Sequence, residues 1–333
     1  VAPVTSPNVY LVNGWNGQIP TGFPANLRVT NEMWKAPKNN LLPPWTLVHA
    51  HDATPPTTGP NRWWWPGHTT GIILHTINGQ EYIYNLGGDS YGSAATRAMV
   101  WRLPVYPDGT EGLPELMTDT FPGVDIQLHM SASYLGALHR FGGQSNLDYP
   151  TTAVQTHYHS MDGGVTWPQL PDFPFPARGM VYDPCIYKGK LTVFGGGTFA
   201  TDISLRTNYN DAYAWDGATW TQLIADGVAP VPRRQYHSTR VFQDMFCIIN
   251  GFDLVQYAID NIGNLGDMWT TTDFASFTPR TIPPWRPSHA DGTCVSGDKL
   301  LVGWGNGDIG EGFPVAAPGP GKLWSVRRLG VAS

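Results

Sequence analysis

Six short segments of this chain are built alike. YIYNLGGDS (82–90), ALHRFGGQS (137–145), LTVFGGGTF (191–199), FCIINGFDL (246–254) and LLVGWGNGD (300–308) each run from an apolar, strand-like stretch into a glycine turn, and VYLVNGWNG (9–17) is a sixth copy. Gly88, Gly143, Gly196, Gly251 and Gly303 follow one another at intervals of 52–55 residues. A period of about 50 is that of a four-stranded propeller blade. The step from Gly14 to Gly88 is 74 residues, which leaves room for one long inserted loop.

The flanks repeat as well. Ahead of each glycine turn comes a strand led in by Pro, Arg or His, as in ARGMVYDPCIY, RRQYHSTRVF and RPSHADGTCV. After it comes an aromatic strand (RAMVWRL, NDAYAWDG, GDMWTTTD) and then a fourth, as in VTWPQLPD (165–172) and ATWTQLIA (218–225). The expected fold is all-β: a six-bladed β-propeller of four-stranded antiparallel blades. It forms one domain over 1–333, with blades near 1–59, 60–120, 121–173, 174–228, 229–283 and 284–333. The first copy lacks an obvious innermost strand and the last an outermost one. A lone four-stranded sheet cannot bury both faces, so blades pack on one another and leave few free edges. Composition agrees, since 38 glycines and 30 prolines supply turns, 14 tryptophans suit strands and inter-sheet wedges, and only 14% of residues are charged.

These repeats resemble the Kelch family, which has an Arg-x-x-His-Ser lead-in, a Gly-Gly after the second strand and a Tyr or Trp in the third. Arg234-Gln-Tyr-His237-Ser238, with Tyr213, Trp215 and Trp220, carries the likeness most clearly. Asn-Gly or Gly-Trp-Gly replaces Gly-Gly in two copies. With the strands of a blade lettered a to d outward, the resemblance implies that ligands meet the d–a and b–c loops.

Ser160-Met-Asp162-Gly-Gly164-Val-Thr166-Trp167 is similar to the Asp-box turn of sialidases and related propeller glycosidases. It joins a third strand to a fourth, at the c–d corner, away from the expected ligand loops. Ser160, Asp162, Gly164 and Trp167 are therefore expected to be structural, with Asp162 accepting backbone N–H bonds and Trp167 packing between blades. Asp216 and Asp273 occupy the same corner of the next two blades.

The b–c and d–a loops are long and aromatic, and they supply the expected ligand contacts: Trp15, Arg62, Trp63, Trp64, Trp65, Asp89, Tyr91, Gln144, Asn146, Tyr257 and Trp304. An aromatic platform beside polar orienting groups is the usual composition of a small-ligand site. Three consecutive tryptophans cannot all face one way in an extended segment, so at least one of Trp63–Trp65 is expected to point outward or cap the channel. His68, His129, His237 and His289 are expected at the channel mouth, in hydrogen bonds to the adjacent blade. His49-x-His51 and His157-x-His159 lack a visible third ligand. No metal or other cofactor is expected.

A net charge of −6 gives no basic footprint for nucleic acid or anionic membranes. No apolar run reaches the ~20 residues of a membrane span. Cys185, Cys247 and Cys294 are an odd set without ligand spacing, expected as free thiols. VAPVTSPNVY has neither the basic nor the apolar region of a signal peptide, so any such peptide is absent or already removed. Few lysines and many Trp, Asn, Thr and Gly residues suggest an extracellular or particle surface, although no Asn-x-Ser/Thr sequon supports this. The leading expectation is a non-catalytic recognition module that binds a glycan or protein ligand through the loop face. The alternatives are a carbohydrate-active enzyme using acids and arginines of the same loops, or a structural subunit of a larger assembly such as an appendage or virion.

Overall fold

The structure, a computed structural model, describes residues 1–15, 29–42, 44–67, 71–88, 98–121, 126–145, 149–179, 181–182, 184–280, 287–303, 306–307 and 323–327. It is almost entirely β-structure, arranged as a six-bladed β-propeller. Blade 1 consists of β1 (Asn8–Trp15), β2 (Val29–Pro37) and β3 (Thr46–His49). Blade 2 is β4 (Ile72–Ile77), β5 (Gln80–Asn85), β6 (Val100–Val105) and β7 (Glu115–Thr118). Blade 3 is β8 (Met130–Tyr134), β9 (Ala137–Phe141), β10 (His157–Ser160) and β11 (Gln169–Leu170).

After β12 (Val181–Tyr182), blade 4 is β13 (Cys185–Tyr187), β14 (Lys190–Phe194), β17 (Ala212–Trp215) and β18 (Trp220–Ile224). The hairpin β15 (Gly197–Thr198) and β16 (Thr207–Asn208) fills its b–c loop. Blade 5 is β19 (His237–Phe242), β20 (Met245–Phe252), β21 (Asn264–Thr271) and β22 (Thr278–Pro279), with the helix α1 (Leu254–Asp260) in its b–c loop. Strand β12 adds to the inner edge of this sheet in parallel, Val181 opposite His237. Blade 6 follows the pair formed by β23 (Ser288–His289) with β26 (Asn306–Gly307), and comprises β24 (Gly292–Ser296), β25 (Lys299–Gly303) and β27 (Leu323–Val326). Among the described residues no helix is long and apolar enough to cross a membrane. The chain divides into two compact units, one taking in Val1–Arg140 and His157–Leu170, the other Phe141–Thr156 and the described residues from Pro171 to 307 and from 323 to 327.

Within each unit the strands are apolar on both faces because both faces are covered. On β20, Phe246 and Ile248 pack with Tyr187, Phe194 and Phe274, while Cys247 and Ile249 pack with Leu300 and Val302 of blade 6. Alternation along one strand thus feeds two separate cores. In the other unit, Tyr10 and Met33 meet Ile83, Trp101 and Leu103 between blades 1 and 2.

Turn chemistry is also repeated. The a–b turns Asn78–Gly79, Leu135–Gly136 and Lys188–Gly189 each have φ between 48° and 82° at both positions, the left-handed pairing that suits the twist of a hairpin. At the end of strand b the first turn residue is left-handed in five blades: Asn13, Gly87, Gly142, Gly195 and Asn250, with φ from 53° to 75°. This explains the Asn-Gly copies, because asparagine tolerates that region better than other side chains. Each asparagine also reaches the next blade. Asn13 accepts from the Trp64 indole at 2.7 Å, and Asn250 donates to Asp291 at 2.8 Å.

Amides and ion pairs lock the d–a crossovers. Gln155 donates to the carbonyls of Phe173 and Phe175, Asn210 to those of Ala229 and Val231, and Asn31 to those of Asp52 and Trp64. Arg178 grips Asp211 with two nitrogens and lies 3.7 Å over the Tyr209 ring; Arg234 grips Asp267 in the same way at 2.6 and 2.9 Å. Both guanidinium groups are buried, at 1% and 0% exposure.

The Ser160–Trp167 turn closes on itself. Asp162 accepts from Ser160 Oγ, from the N–H groups of Val165 and Thr166, and from the Thr166 hydroxyl, while Trp167 donates to Gly164 O. Trp167 packs with Ile73, Tyr84, Val100 and Leu138 between blades 2 and 3, and Tyr84 donates to Gly163 O at 3.0 Å. Partial burial works against the Asp162 carboxylate, but the bonds from Thr166, Ser160 and Val165 prevail and hold its pKa at about 2. Asp216 and Asp273 accept from the N–H groups two and three residues ahead, and both are held below their ordinary value.

Two outcomes are expected. Asp211→Asn leaves a buried guanidinium without its counter-charge and should cost about 3–5 kcal/mol in chemical denaturation. The depressed pKa of Asp162 means its contribution to stability is complete above the ordinary value near 3.8 and disappears as pH falls toward 2. Asp162→Asn should therefore lower the unfolding midpoint at pH 7 and flatten its acid-side slope between about pH 4 and 2. An unchanged slope would rule out that role.

Candidate functional site

The b–c loops of blades 4 and 5 and the lead-in to blade 6 build one aromatic patch around a cation, within the second unit. Arg206 follows a short 3-10 turn (Ile203–Leu205) capped by Asp202. Its Nε donates to Ala200 O at 2.8 Å, and its guanidinium lies 4.0 Å over the Phe199 ring and 5.8 Å from that of Phe252. Phe252 meets Tyr257 at 5.8 Å and His289 at 6.1 Å, and His289 meets Tyr236 at 5.4 Å. Among the described residues no carboxylate pairs with Arg206.

Each member is held by its local chain. Gln144 accepts from Phe199 N and donates to Phe199 O, which fixes the ring beneath Arg206. Asp253 caps α1 by accepting from Val255 and Gln256, so Tyr257 projects from a fixed first turn. Gly197 passes so close that a Cβ there would sit 2.2 Å from Thr207 O and 2.7 Å from Gln235 Oε1, which only glycine avoids. Tyr236 has φ 56°, an uncommon conformation for an aromatic residue, and its carbonyl accepts from Ala290 N at 2.7 Å. Backbone strain of this kind gathers at functional sites.

The charge of the patch is simple. Burial, and next the Arg206 cation, push the pKa of His289 down to about 4, and its Nδ1 bonds to Asn264 Oδ1. His289 is therefore neutral near pH 7, and Arg206 is the positive charge of the cluster. The nearby acids are engaged: Asp253 in the α1 cap, Asp267 with Arg234, and Asp260 with the N–H groups of Ile262 and Gly263. Beside the patch, a half-open groove of about 430 Å³ runs between α1 and Pro287. Val255 and Ile259, one turn apart on α1, face solvent.

The residues singled out in the sequence fall in several places. His68, Asp89, Tyr91, Asn146 and Trp304 lie outside the described residues, as does the side chain of Trp15, whose backbone pairs with Val29 in β1. Tyr257, His289 and Gln144 belong to the patch, Gln144 as the support of Phe199. His237 is buried in blade 5 and bonds to Phe194 O of blade 4 at 2.8 Å. His129 is buried against blade 2, in the first unit.

The expected tryptophan platform requires correction. Trp63 and Trp64 are core residues that donate to Asn31 O and Asn13 Oδ1, and Trp63 stacks on His49 at 3.9 Å. Buried acceptors for both indole N–H groups draw these side chains inward. Trp65 is only partly buried, while Arg62 bonds to the carbonyls of Pro114 and Gly59. His157 pairs with His139, and His51 with Asn31. The three cysteines are free thiols. Among the described residues no three His, Cys, Asp or Glu side chains are placed to hold a metal ion.

Sequence reasoning missed Arg206, Phe199, Phe252 and Tyr236. The available signal was Arg206 itself, an arginine inside a b–c loop rather than ahead of strand a.

No protein-family model matches the chain, and no curated protein matches it. Among solved structures, one described as the structure of YjhT aligns over 72% of this chain and 72% of its own, at 15% identity and a TM-score of 0.49. A likeness that loose bears on no property of the site.

The coupling between Arg206 and His289 can be measured. His289 should titrate near pH 4 by NMR, and Arg206→Gln should raise that value while burial keeps it below 6.5. An unmoved titration would mean that the two groups do not share a site.

Proposed function

We propose that this protein is a non-catalytic recognition module of an extracellular or particle surface, and that the loops of blades 4 and 5 bind a carboxylate-bearing glycan. The observation that carries this reading is Arg206: a guanidinium held over aromatic rings, with no described carboxylate as partner. Aromatic faces suit the apolar face of a sugar ring, and the terminal nitrogens of Arg206 suit a carboxylate. The engaged state of Asp253, Asp260 and Asp267 favours binding over hydrolysis, which needs a pair of acids about 5–10 Å apart. A Kelch-like reading of the repeat is supported by the buried Arg178 and Arg234 and by His237 bonding to the neighbouring blade. An Asp-box reading of the 160–167 turn is supported by its hydrogen bonds. A second reading, docking of a protein partner, draws support from the exposed Val255 and Ile259.

The test is an array of acidic and neutral glycans probed with the wild type, Arg206→Gln and Ile259→Asp. Selective binding of carboxylate-bearing glycans, weakened about 10- to 100-fold in Arg206→Gln and kept in Ile259→Asp, is the expected result. Absence of glycan binding, or binding indifferent to Arg206, would overturn the proposal. A protein partner lost in Ile259→Asp alone would support the second reading.

A further inference from the structure

Blade 3 contains a buried cation of a different kind. Arg140 on β9 is 2% exposed. Its guanidinium lies 4.1 Å over the Phe121 ring and Nη2 donates to Ile126 O at 2.6 Å. Its Nε and Nη1 are buried without a hydrogen-bond partner. Arg178 and Arg234 are as deeply buried, and each is neutralised by an aspartate, whereas among the described residues no carboxylate pairs with Arg140.

Two more orphaned groups lie beside it. Both ring nitrogens of His129 and the hydroxyl of Ser131 are buried and unpartnered. His129 and Ser131 sit two residues apart, so they project from the same side of the extended chain. His129 Nε2 and Ser131 Oγ both lie within 3.0 Å of the point where a Cβ on Gly71 would stand, so the two atoms converge on Gly71, whose lack of a side chain makes room for them. The two-residue turn Leu135–Gly136 sets Ser131 across the β8–β9 pair from Arg140, and directly opposed residues have Cβ atoms about 5 Å apart. Burial first, and then the charge of Arg140, drive the His129 pKa well below its ordinary value, which leaves one ring N–H to donate.

The chemistry of this set is one-sided. It offers two guanidinium nitrogens, a hydroxyl and an imidazole N–H, with one fixed positive charge. Bridging water satisfies donors but does not neutralise a cation, and an uncompensated buried charge is strongly destabilising. We propose that Arg140, Ser131 and His129 form an internal site for a small monovalent anion of about chloride size, held between blades 2 and 3 as part of the folded structure. It does not depend on the glycan reading, because all three residues belong to the first unit and Arg206 to the second.

Bromide is the probe. Crystals of the full chain grown or soaked in sodium bromide should show an anomalous peak within about 3.5 Å of Arg140 Nε or Nη1. In solution, the wild-type unfolding temperature should rise with the logarithm of bromide or chloride concentration, with a slope corresponding to one ion bound by the folded state. Sodium gluconate at equal ionic strength, whose anion is too large to enter, should not produce that rise. Arg140→Met should abolish the halide dependence. The wild-type measurements decide the matter even where the variant folds poorly. A wild type without the peak and without halide-specific stabilisation would overturn the proposal, as would a halide effect that persists in Arg140→Met.

Discussion

Every strand between two blades must be apolar on both faces while its ends remain polar, and this conflict organises the molecule. Phe246, Cys247, Ile248 and Ile249 serve two cores in succession, so β20 tolerates no polar side chain along that stretch. The backbone must nevertheless leave the sheet, turn and cross to the next blade, where its carbonyl and N–H groups lose their strand partners. Leaving them unpaired would cost about 1–3 kcal/mol each. The protein answers with side chains that reach backbone: Asn31, Gln155 and Asn210 each donate to two crossover carbonyls, and Arg178 and Arg234 add a third kind of anchor. Polar residues here complete the hydrogen bonding of a core rather than decorate a surface.

The fate of the arginines follows from that arrangement. In blades 4 and 5 an arginine enters the crossover together with an aspartate, and the pair is neutral as a unit. In blade 3 the corresponding places, Ile126 and Thr156, carry no charge. Ile126 stands two residues before the left-handed Leu128, as Arg234 stands before the left-handed Tyr236. Thr156 gives its carbonyl to Gly142 as Asp211 does to Gly195. Arg140 then reaches Ile126 O from another strand, and among the described residues no aspartate pairs with it. A different residue at one repeat position thus goes with a different charge balance in its blade, and among the described residues Arg140 is a buried guanidinium without the aspartate that Arg178 and Arg234 have.

Much of the fold was legible because the repeat reports backbone needs directly. Glycine or asparagine at Asn13, Gly87, Gly142, Gly195 and Asn250 marks a left-handed residue, and those positions locate strand b in five blades. The corner aspartates were legible for the same reason, since a short side chain two or three residues ahead of free N–H groups has few other uses. The tryptophans were not. Trp63 and Trp64 sit in a Pro-rich insertion that reads as loop, and their burial depends on acceptors from blade 1, Asn31 and Asn13, that are distant in sequence. Nor was the patch around Arg206 legible, because Phe199, Phe252 and His289 come from three blades and only the fold brings their rings together.

The contrast between Arg140 and Arg206 shows what burial decides. Both lack a described carboxylate partner, and both lie over a phenylalanine ring at about 4 Å. Arg140 is closed in on all sides, so an anion bound there would exchange only as fast as the blades open and would act as part of the structure. Arg206 is partly open, and its ring partners stand on loops that differ from blade to blade. A ligand can reach it without disturbing the sheets, so variation in those loops can alter what is bound while the blades remain unchanged. On the two proposals, the same side chain would serve stability in one blade and recognition in another, according to whether its guanidinium faces a core or a loop.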